Sequence, residues 1–418
     1  YEEPVVDIGR FGGMLLVSDP AAIEHVLVHN AANYRKSPQQ QRRLQPALGD
    51  GLLTAEGEVW RATRRITAPL FSPAAVAGVF DDMQAAAEAM RDRWVERGWQ
   101  PKPLDLAGEF QRLAYDIVSR TFFSGAVDSD RAELHAAMAL YFDTLGRIDL
   151  AAMLNLPSWW PTADRIRGRR AVASFRGVVD GAVRARTPGT RGDGADLLDR
   201  LIDSADPRTG RRLDDAAIRD NVLTFLAAGH ETTGNALAWI FYLLALHPDA
   251  EDEVRAEIDQ AFAGGPVDRG RLDQLAFTKA VVNEALRLYP PAPFMGRQAI
   301  AADEVAGRPI RAGTQILISP WVVHRHNALW CRPEEFHPAR FLGDAADRIA
   351  RGAFLPFGLG PRICIGQRFA LQEILIVLAT VLPAVRYDLA EPQSVFPQAR
   401  ITLTPRGGLP AFLRPALV

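Results

Sequence analysis

The stretch Phe357-Gly358-Leu359-Gly360-Pro361-Arg362-Ile363-Cys364-Ile365-Gly366 sets one cysteine among three glycines, a proline and an arginine. That much glycine and proline in ten residues excludes the interior of a helix or strand, so the segment is a loop. Beyond it, Gln367-Arg368-Phe369-Ala370-Leu371-Gln372-Glu373-Ile374-Leu375 is good helix-forming material. Cys364 therefore stands at or just before a helix start, where unpaired backbone N–H groups and the positive end of the helix dipole stabilise a sulfur anion. The glycines let the backbone lie flat against a large ligand, and Arg362 offers a fixed positive charge to an acidic group on it. On these residues alone two readings stay open: a thiolate presented to a metal, or a packed cysteine in a tight turn.

Composition narrows the class of protein. A chain of 418 residues exceeds the usual range for one core and by length alone suggests two domains, a prior that large single-core enzymes break. With 48% apolar residues and a formal net charge of -2, the balance is that of a globular protein with ample core and excludes a nucleic-acid binder. Cys331 and Cys364 are the only cysteines, which argues against a disulfide framework and fits a reducing cytoplasm. The longest apolar runs, 236–246 and 374–382, fall short of the roughly 20 residues that span a bilayer. No signal peptide is visible, but the chain opens on Tyr1, so an upstream segment or anchor stays open.

Along the chain the texture changes twice. Val5-Val6-Asp7-Ile8, Gly12-Gly13 and Met14-Leu15-Leu16-Val17, before Ser18-Asp19-Pro20, read as a hairpin followed by a capped helix from Pro20. From Pro73 to His247 the pattern is helical, broken at Pro101–Pro103, at Pro157–Pro161, where Trp159-Trp160 make a hydrophobic elbow, and at Pro188–Gly194. Past Pro290 short strands alternate with turns, as in Ile316-Leu317-Ile318 and Ile401-Thr402-Leu403. The expected architecture is mainly α with a small β-rich part (α+β). The β-rich part comes from about 1–50, 291–340 and 385–418, and the α-rich body from about 51–290 and 341–384. There is no internal repeat or low-complexity tract.

Three further constellations bear on chemistry. A helix beginning near Asp214-Asp215 and stopped at Pro248 reads Ala227-Ala228-Gly229-His230-Glu231-Thr232-Thr233-Gly234 at its middle. Glycines and β-branched threonines there invite a widened or kinked turn with polar groups open to a small molecule, unless they serve a close helix crossing. Trp60 and Arg64, at i and i+4, share a helix face, which suits an indole N–H and a guanidinium reaching two oxygens of one carboxylate. Glu284-Ala285-Leu286-Arg287 sets a carboxylate and a guanidinium at i and i+3, a spacing of little weight by itself. His324 and His326 lack acidic or cysteine partners at ligand spacing, so no metal site is expected there, and Cys331 is expected to be a packed or surface residue.

Phe357, Gly360, Arg362, Cys364 and Gly366 occupy the five fixed places of the F-x-x-G-x-R-x-C-x-G loop of the cytochrome P-450 superfamily, and the chain resembles that family over nearly its whole length. Ala228-Gly229-His230-Glu231-Thr232 resembles its A-G-x-[D/E]-T segment, Glu284 and Arg287 its E-x-x-R, Phe336 to Phe341 its F-x-P-x-R-F, and Trp60 to Arg64 its W-x-x-x-R. Ala339 departs from the usual glutamate, and the family's segment ahead of the first strand is expected to be absent.

The resemblance implies a single catalytic domain over 1–418 with the helical prism fold around a buried heme b (iron protoporphyrin IX). Cys364 would ligate the iron, with Phe357 and Gly366 beside the cofactor and Trp60, Arg64, Arg297 and Arg362 holding its propionates. Glu231 and Thr232 would deliver protons to iron-bound oxygen, and Glu284, Arg287 and Arg340 would form a buried charge cluster. The implied activity is that of an oxidoreductase: a monooxygenase placing one atom of O2 into a hydrophobic small molecule by hydroxylation, epoxidation or oxidative coupling. A peroxide-driven peroxygenase or isomerase, and a non-catalytic heme sensor, are the alternatives. No flavin, nicotinamide or iron–sulfur motif is present, so electrons from NAD(P)H would arrive through a ferredoxin or flavodoxin with its reductase. Arg61, Arg65, Arg351 and Arg368 are the candidate docking charges. A cytoplasmic monomer without nucleic-acid or membrane contact completes the expectation. Substrate contacts are expected from 39–53, 145–160, Phe225, Ala228, 293–295 and the turn near Ile401, with Arg42 and Arg43 available to a carboxylate.

Overall fold

The amino-terminal apolar runs pair as their alternation suggests, β1 (Val5–Asp7) lying antiparallel to β2 (Met14–Val17). In the computed structural model the described residues are 3–9, 13–123, 163–184, 186 and 196–415. Asp19 caps α1 (Pro20–Glu24), its carboxylate accepting from the Ala22 N–H at 2.7 Å with Pro20 in the first turn. A π-helical turn over His25–His29 leads to β3 (Tyr34–Lys36) and α2 (Pro38–Leu48). Then come α3 (Gly57–Thr67), α4 (Pro73–Ala77), α5 (Phe80–Arg97), β4 (Leu104–Asp105), α6 (Leu106–Phe123), α7 (Ala163–Arg184), α8 (Leu197–Asp203), α9 (Asp215–Leu246), α10 (Pro248–Phe262) and α11 (Ala276–Leu288). The remainder is β5 (Met295–Ala299), β6 (Asp303–Val305), β7 (Arg308–Ile310), β8 (Gln315–Ile318), α12 (Pro320–Val323), α13 (Gly343–Asp347), α14 (Gln367–Val381), β9 (Val385–Leu389), β10 (Pro397–Ala399), β11 (Leu403–Pro405) and β12 (Pro410–Pro415).

The chain divides into two units, one of Tyr1–Pro38, Val76–Leu113 and Thr232–Val418, the other of Gln39–Ala75 and Ala114–Glu231. In the first, a five-stranded sheet runs β1-β2-β8-β5-β3, with β2 and β8 parallel and Leu15 opposite Ile316. Val17, Ile23, Val26, Ile316, Ile318 and Val323 form a buried cluster with it. A three-stranded sheet, β4-β12-β9, and the hairpins β6-β7 and β10-β11 complete its β structure. Phe110 packs between Trp94 and Phe241, its ring tilted to theirs at centroid distances of 5.6 and 4.6 Å. In the second unit Phe225 lies 5.2 Å from Phe71 and 5.6 Å from Phe122. The loop after α2 is tied to α9 by Asp50 N–H to Asp220 at 2.9 Å and Leu52 N–H to Asn221 at 3.0 Å.

A mainly α chain with small sheets is what the periodicity predicts, and the departures are local. β4 falls inside the stretch expected to be all helical, because two residues leave no alternating signal and their partner, Ala411 opposite Leu104, lies at the other end of the chain. α2 falls inside the amino-terminal stretch expected to be β-rich. Near the carboxyl end the strand starts at Leu403, two residues later than expected, with Ala399 as partner. The elbow at Pro157–Pro161 with Trp159-Trp160, the joint at Pro188–Gly194, and the substrate-contact stretch 145–160 lie outside the described residues.

Candidate functional site

The cysteine loop closes on itself, Cys364 N–H donating to Phe357 O at 2.9 Å and Ile363 N–H to Gly360 O at 3.0 Å. A 3-10 turn over Gly360–Arg362 delivers the chain to Gly366, the N-cap of α14. Gly358 and Gly360 adopt φ of 75° and 76°. A Cβ at Gly360 would overlap the Leu27 carbonyl of the π-helical turn, so glycine is required there by both dihedral and space. At Gly366 a Cβ would meet only the Cys364 sulfur, at 4.0 Å, so the backbone beside the sulfur is otherwise open. Cys364 is exposed, while Phe357, Leu359, Ile363 and Ile365 around it are only half-buried. A packed structural cysteine would be covered. An accessible thiol at a helix start, ringed by incompletely covered apolar side chains, fits a large flat group lying on the loop. Cys331 is also exposed, which leaves it on the surface.

Helix α9 is α-helical from end to end, so the widened turn expected at its middle is absent. Its glycines serve close approach instead. A Cβ on Gly229 would lie 2.9 Å from the Val118 side chain, and one on Gly234 would lie 2.8 Å from the Gln111 backbone, both on α6. From Asp220 to Ala227 and from Thr233 to Phe241 every residue is buried, yet between them Ala228 is exposed and Gly229, Glu231 and Thr232 are half-buried. Ala228, Glu231 and Thr232, at i, i+3 and i+4, make one partly exposed strip within the buried stretch from Asp220 to Phe241, carrying one carboxyl and one hydroxyl. His230 turns into the core, its Nδ1 2.9 Å from Leu226 O and its ring edge-on to Tyr115 at 6.1 Å.

Trp60 and Arg64 lie one turn apart on α3, both half-buried. The neighbouring Arg65 is engaged elsewhere. Its Nε and Nη2 donate to the two oxygens of Asp206 at 2.9 and 2.7 Å, and Asp206 is itself buried. That bond, with a second from the Arg208 N–H, holds the Asp206 carboxyl well below the usual carboxylate range. Arg65 is therefore a structural ion-pair member, which corrects its expected docking role. Arg61 pairs at the surface with Glu58 at 2.8 Å, and Arg351 lies 3.9 Å from Glu24. Arg297 sits half-buried on β5, between β8 and β3, its Nη1 bonded to Gly296 O at 3.0 Å, and Arg362 is half-buried in the 3-10 turn.

The expected charge cluster is present and fully buried at its centre. Arg287 grips Glu284 through two bonds of 2.6 and 2.8 Å, and its remaining donors reach the carbonyls of His324, Pro333 and Glu335. Glu284 also accepts from His337 N–H at 2.8 Å and Arg340 Nε at 3.2 Å. Both Glu284 oxygens and all five guanidinium N–H groups of Arg287 thus keep partners, the condition under which an internal ion pair is tolerated. His324 belongs to the same knot: Nδ1 lies 3.0 Å from Arg287 O, and Nε2 accepts from Leu355 N–H at 2.8 Å. Both ring nitrogens are engaged by backbone. The sequence gives no local sign of this, because the partners lie 37 and 31 residues away. Another buried group was visible only as an acid inside an apolar run: Glu373 on α14 is fully buried.

Among the described residues no helix is long and apolar enough to cross a membrane. A family model described as Cytochrome P450 matches residues 10–409. Cyclooctat-9-en-7-ol 5-monooxygenase of Streptomyces melanosporofaciens is 37% identical over 340 residues, 80% of this chain and 72% of that protein. Cyclooctatin synthase of the same organism is 32% identical over 92% of this chain and 83% of its own. Among solved structures, the cytochrome P450DA heme domain matches with a TM-score of 0.86 at 28% identity, covering 97% of this chain and 88% of that one.

Proposed function

Since this chain belongs to the cytochrome P450 family and is an oxidoreductase of the monooxygenase kind, we propose that its whole length acts as one catalytic domain that holds heme b and oxygenates an apolar small molecule of terpenoid type. The observation that carries the cofactor assignment is the accessible Cys364 thiol in its glycine-framed, half-covered apolar loop. Cys364 ligates the iron as thiolate, Phe357 and Gly366 flank the cofactor at the sulfur, and Trp60, Arg64, Arg297 and Arg362 bind its propionates. Four donor groups against two carboxylates give a charge-assisted fit. When bound, the heme supplies the redox-active iron at which O2 is reduced.

The protein's own part on the oxygen side falls to α9. Thr232 holds a water with its hydroxyl, and Glu231 passes protons to it from outside, both from the partly exposed strip of the helix. This pair favours O2 over a peroxide-driven reaction, which consumes no protons from outside and can dispense with it. The substrate reading rests on the largely apolar contact stretches and on the alkenol in the first relative's name. Electrons come from NAD(P)H through a separate ferredoxin or flavodoxin and its reductase.

The test is a spectral titration of the heme-loaded protein with cyclic terpenoid alcohols and hydrocarbons, followed by turnover with NADPH, a ferredoxin and its reductase. A product carrying one atom from labelled O2 is expected. Thr232→Ala should bind heme and substrate as before, while product per NADPH falls severalfold and hydrogen peroxide accumulates. Unchanged coupling in that variant would remove Thr232 from proton delivery, and no spectral response to the whole panel would overturn the substrate class.

A further inference from the structure

The far end of α14 borders a cleft of about 280 Å³ whose walls include Glu88 and Arg91 on α5, Asp259 and Phe262 on α10, and Thr380 and Pro383 at the α14 terminus. Its lining sets two carboxylates against one guanidinium. Helices α10 and α14 both end here, at Phe262 and Val381, and neither has a basic residue in its last turn. The end carbonyls are largely engaged, Ala261 O accepting from Arg271 Nη1 at 3.0 Å, Phe262 O from Gly265 N–H at 2.9 Å and Val381 O from Ala384 N–H at 3.1 Å, so negative charge in the cleft comes from side chains. Glu88 and Asp259 add carboxylates from two different helices. Arg91 is the one cationic side chain among the described lining residues, and its Nε already donates to Asp92 at 2.8 Å. Thr380 contributes a further polar group, a hydroxyl buried without a hydrogen-bond partner in a residue 6% exposed. Phe262 and Pro383 supply apolar wall.

We propose that this cleft binds a small organic cation, an ammonium or guanidinium head on a short apolar body, with Glu88 and Asp259 as counter-charges and the Thr380 hydroxyl as an added acceptor. The volume is ample for such a molecule, far above the roughly 10–15 Å³ that holds a single water. The site is separate from the cysteine loop, because Thr380 lies thirteen residues, or about 20 Å at 1.5 Å per residue, along α14 from Gln367. A ligand here therefore competes with neither heme nor substrate, and its charge complements the Glu88 and Asp259 carboxylates.

The probe is butylguanidinium chloride, which stays protonated and so cannot ligate iron. It is titrated into the heme-loaded protein while the methyl resonances of Thr380 and Ile258 and the melting temperature are followed. Saturable shifts and a concentration-dependent rise in melting temperature are expected, with the Soret band unmoved. Asp259→Asn, on an exposed residue, and Glu88→Gln should each weaken binding by about tenfold, the loss of one charge-assisted bond. Thr380→Val should weaken it less, and butyrate and 1-butanol should give no saturable shift. Equal affinity for butyrate, undiminished binding in both acid variants, or no saturable methyl shift would each overturn the proposal.

Discussion

His324 and Glu373 are both fully buried, and burial moves their proton affinities in opposite directions. Desolvation, aided by the Arg287 and Arg325 charges, pulls His324 from 6.5 down to about 3, so the ring is neutral and donates from Nδ1. Desolvation pushes Glu373 well above 4.5, and since neither carboxyl oxygen has a hydrogen-bond partner, the group keeps its proton. The signs of the linkage follow. Below pH 6.5 and down to about 3, the unfolded chain binds a proton at His324 that the folded chain refuses, so acidification destabilises. Above 4.5 the unfolded chain releases a proton from Glu373 that the folded chain retains, so stability falls as pH rises. Urea unfolding across a pH series should show both limbs, with Glu373→Gln flattening the alkaline one and leaving the acid one. An alkaline limb unchanged in Glu373→Gln would mean that Glu373 does not cause it.

At the scale of elements, the glycines show how much of a motif is local. Gly360 stands in a loop rich in glycine and proline, Gly177 in a helical stretch. Gly360 combines φ of 76° with the Leu27 carbonyl where a Cβ would go, whereas Gly177 sits inside α7 with nothing within 4 Å. Gly360→Ala should displace the cysteine loop, lowering heme content and the thiolate-type absorption of the ferrous–CO form. Gly177→Ala should leave heme content intact and raise stability by about 0.5–1 kcal/mol, the helix-interior cost of glycine. Equal heme content in the two variants would show that the loop tolerates a side chain at Gly360. The same contrast decides between the widened turn and the close crossing that the middle of α9 allows. Glycine there is a contact device, and the contacting residues, Val118 and Gln111, are more than a hundred positions away.

For the whole molecule, the question is which surface charges remain available to an electron donor. Arg368 is exposed just beyond the cysteine loop, and Arg351 is exposed with only a 3.9 Å approach to Glu24, whereas Arg65 is committed to buried Asp206. Arg368→Glu combined with Arg351→Glu should slow reduction by an acidic ferredoxin and weaken its salt dependence. Arg65→Ala should instead lower the melting temperature and leave the reduction rate of the folded fraction unchanged. Stopped-flow reduction at two ionic strengths separates these outcomes, and reduction indifferent to the paired charge reversal would move the docking surface elsewhere.

The sequence by itself determined the amino-terminal hairpin, the helix start at Pro20 and the loop that ends in α14. Each is governed by residues a few positions apart, whose dihedral limits and orphan backbone groups leave little choice. Only the tertiary structure decided the parallel union of β2 with β8 and the pairing of β4 with β12, both across some three hundred residues. It alone decided which arginine is bound to a buried acid, which glycine is a contact, and which strip of α9 stays partly exposed. Those outcomes rest on burial and hydrogen-bond partners brought from distant parts of the chain, and no local pattern encodes them.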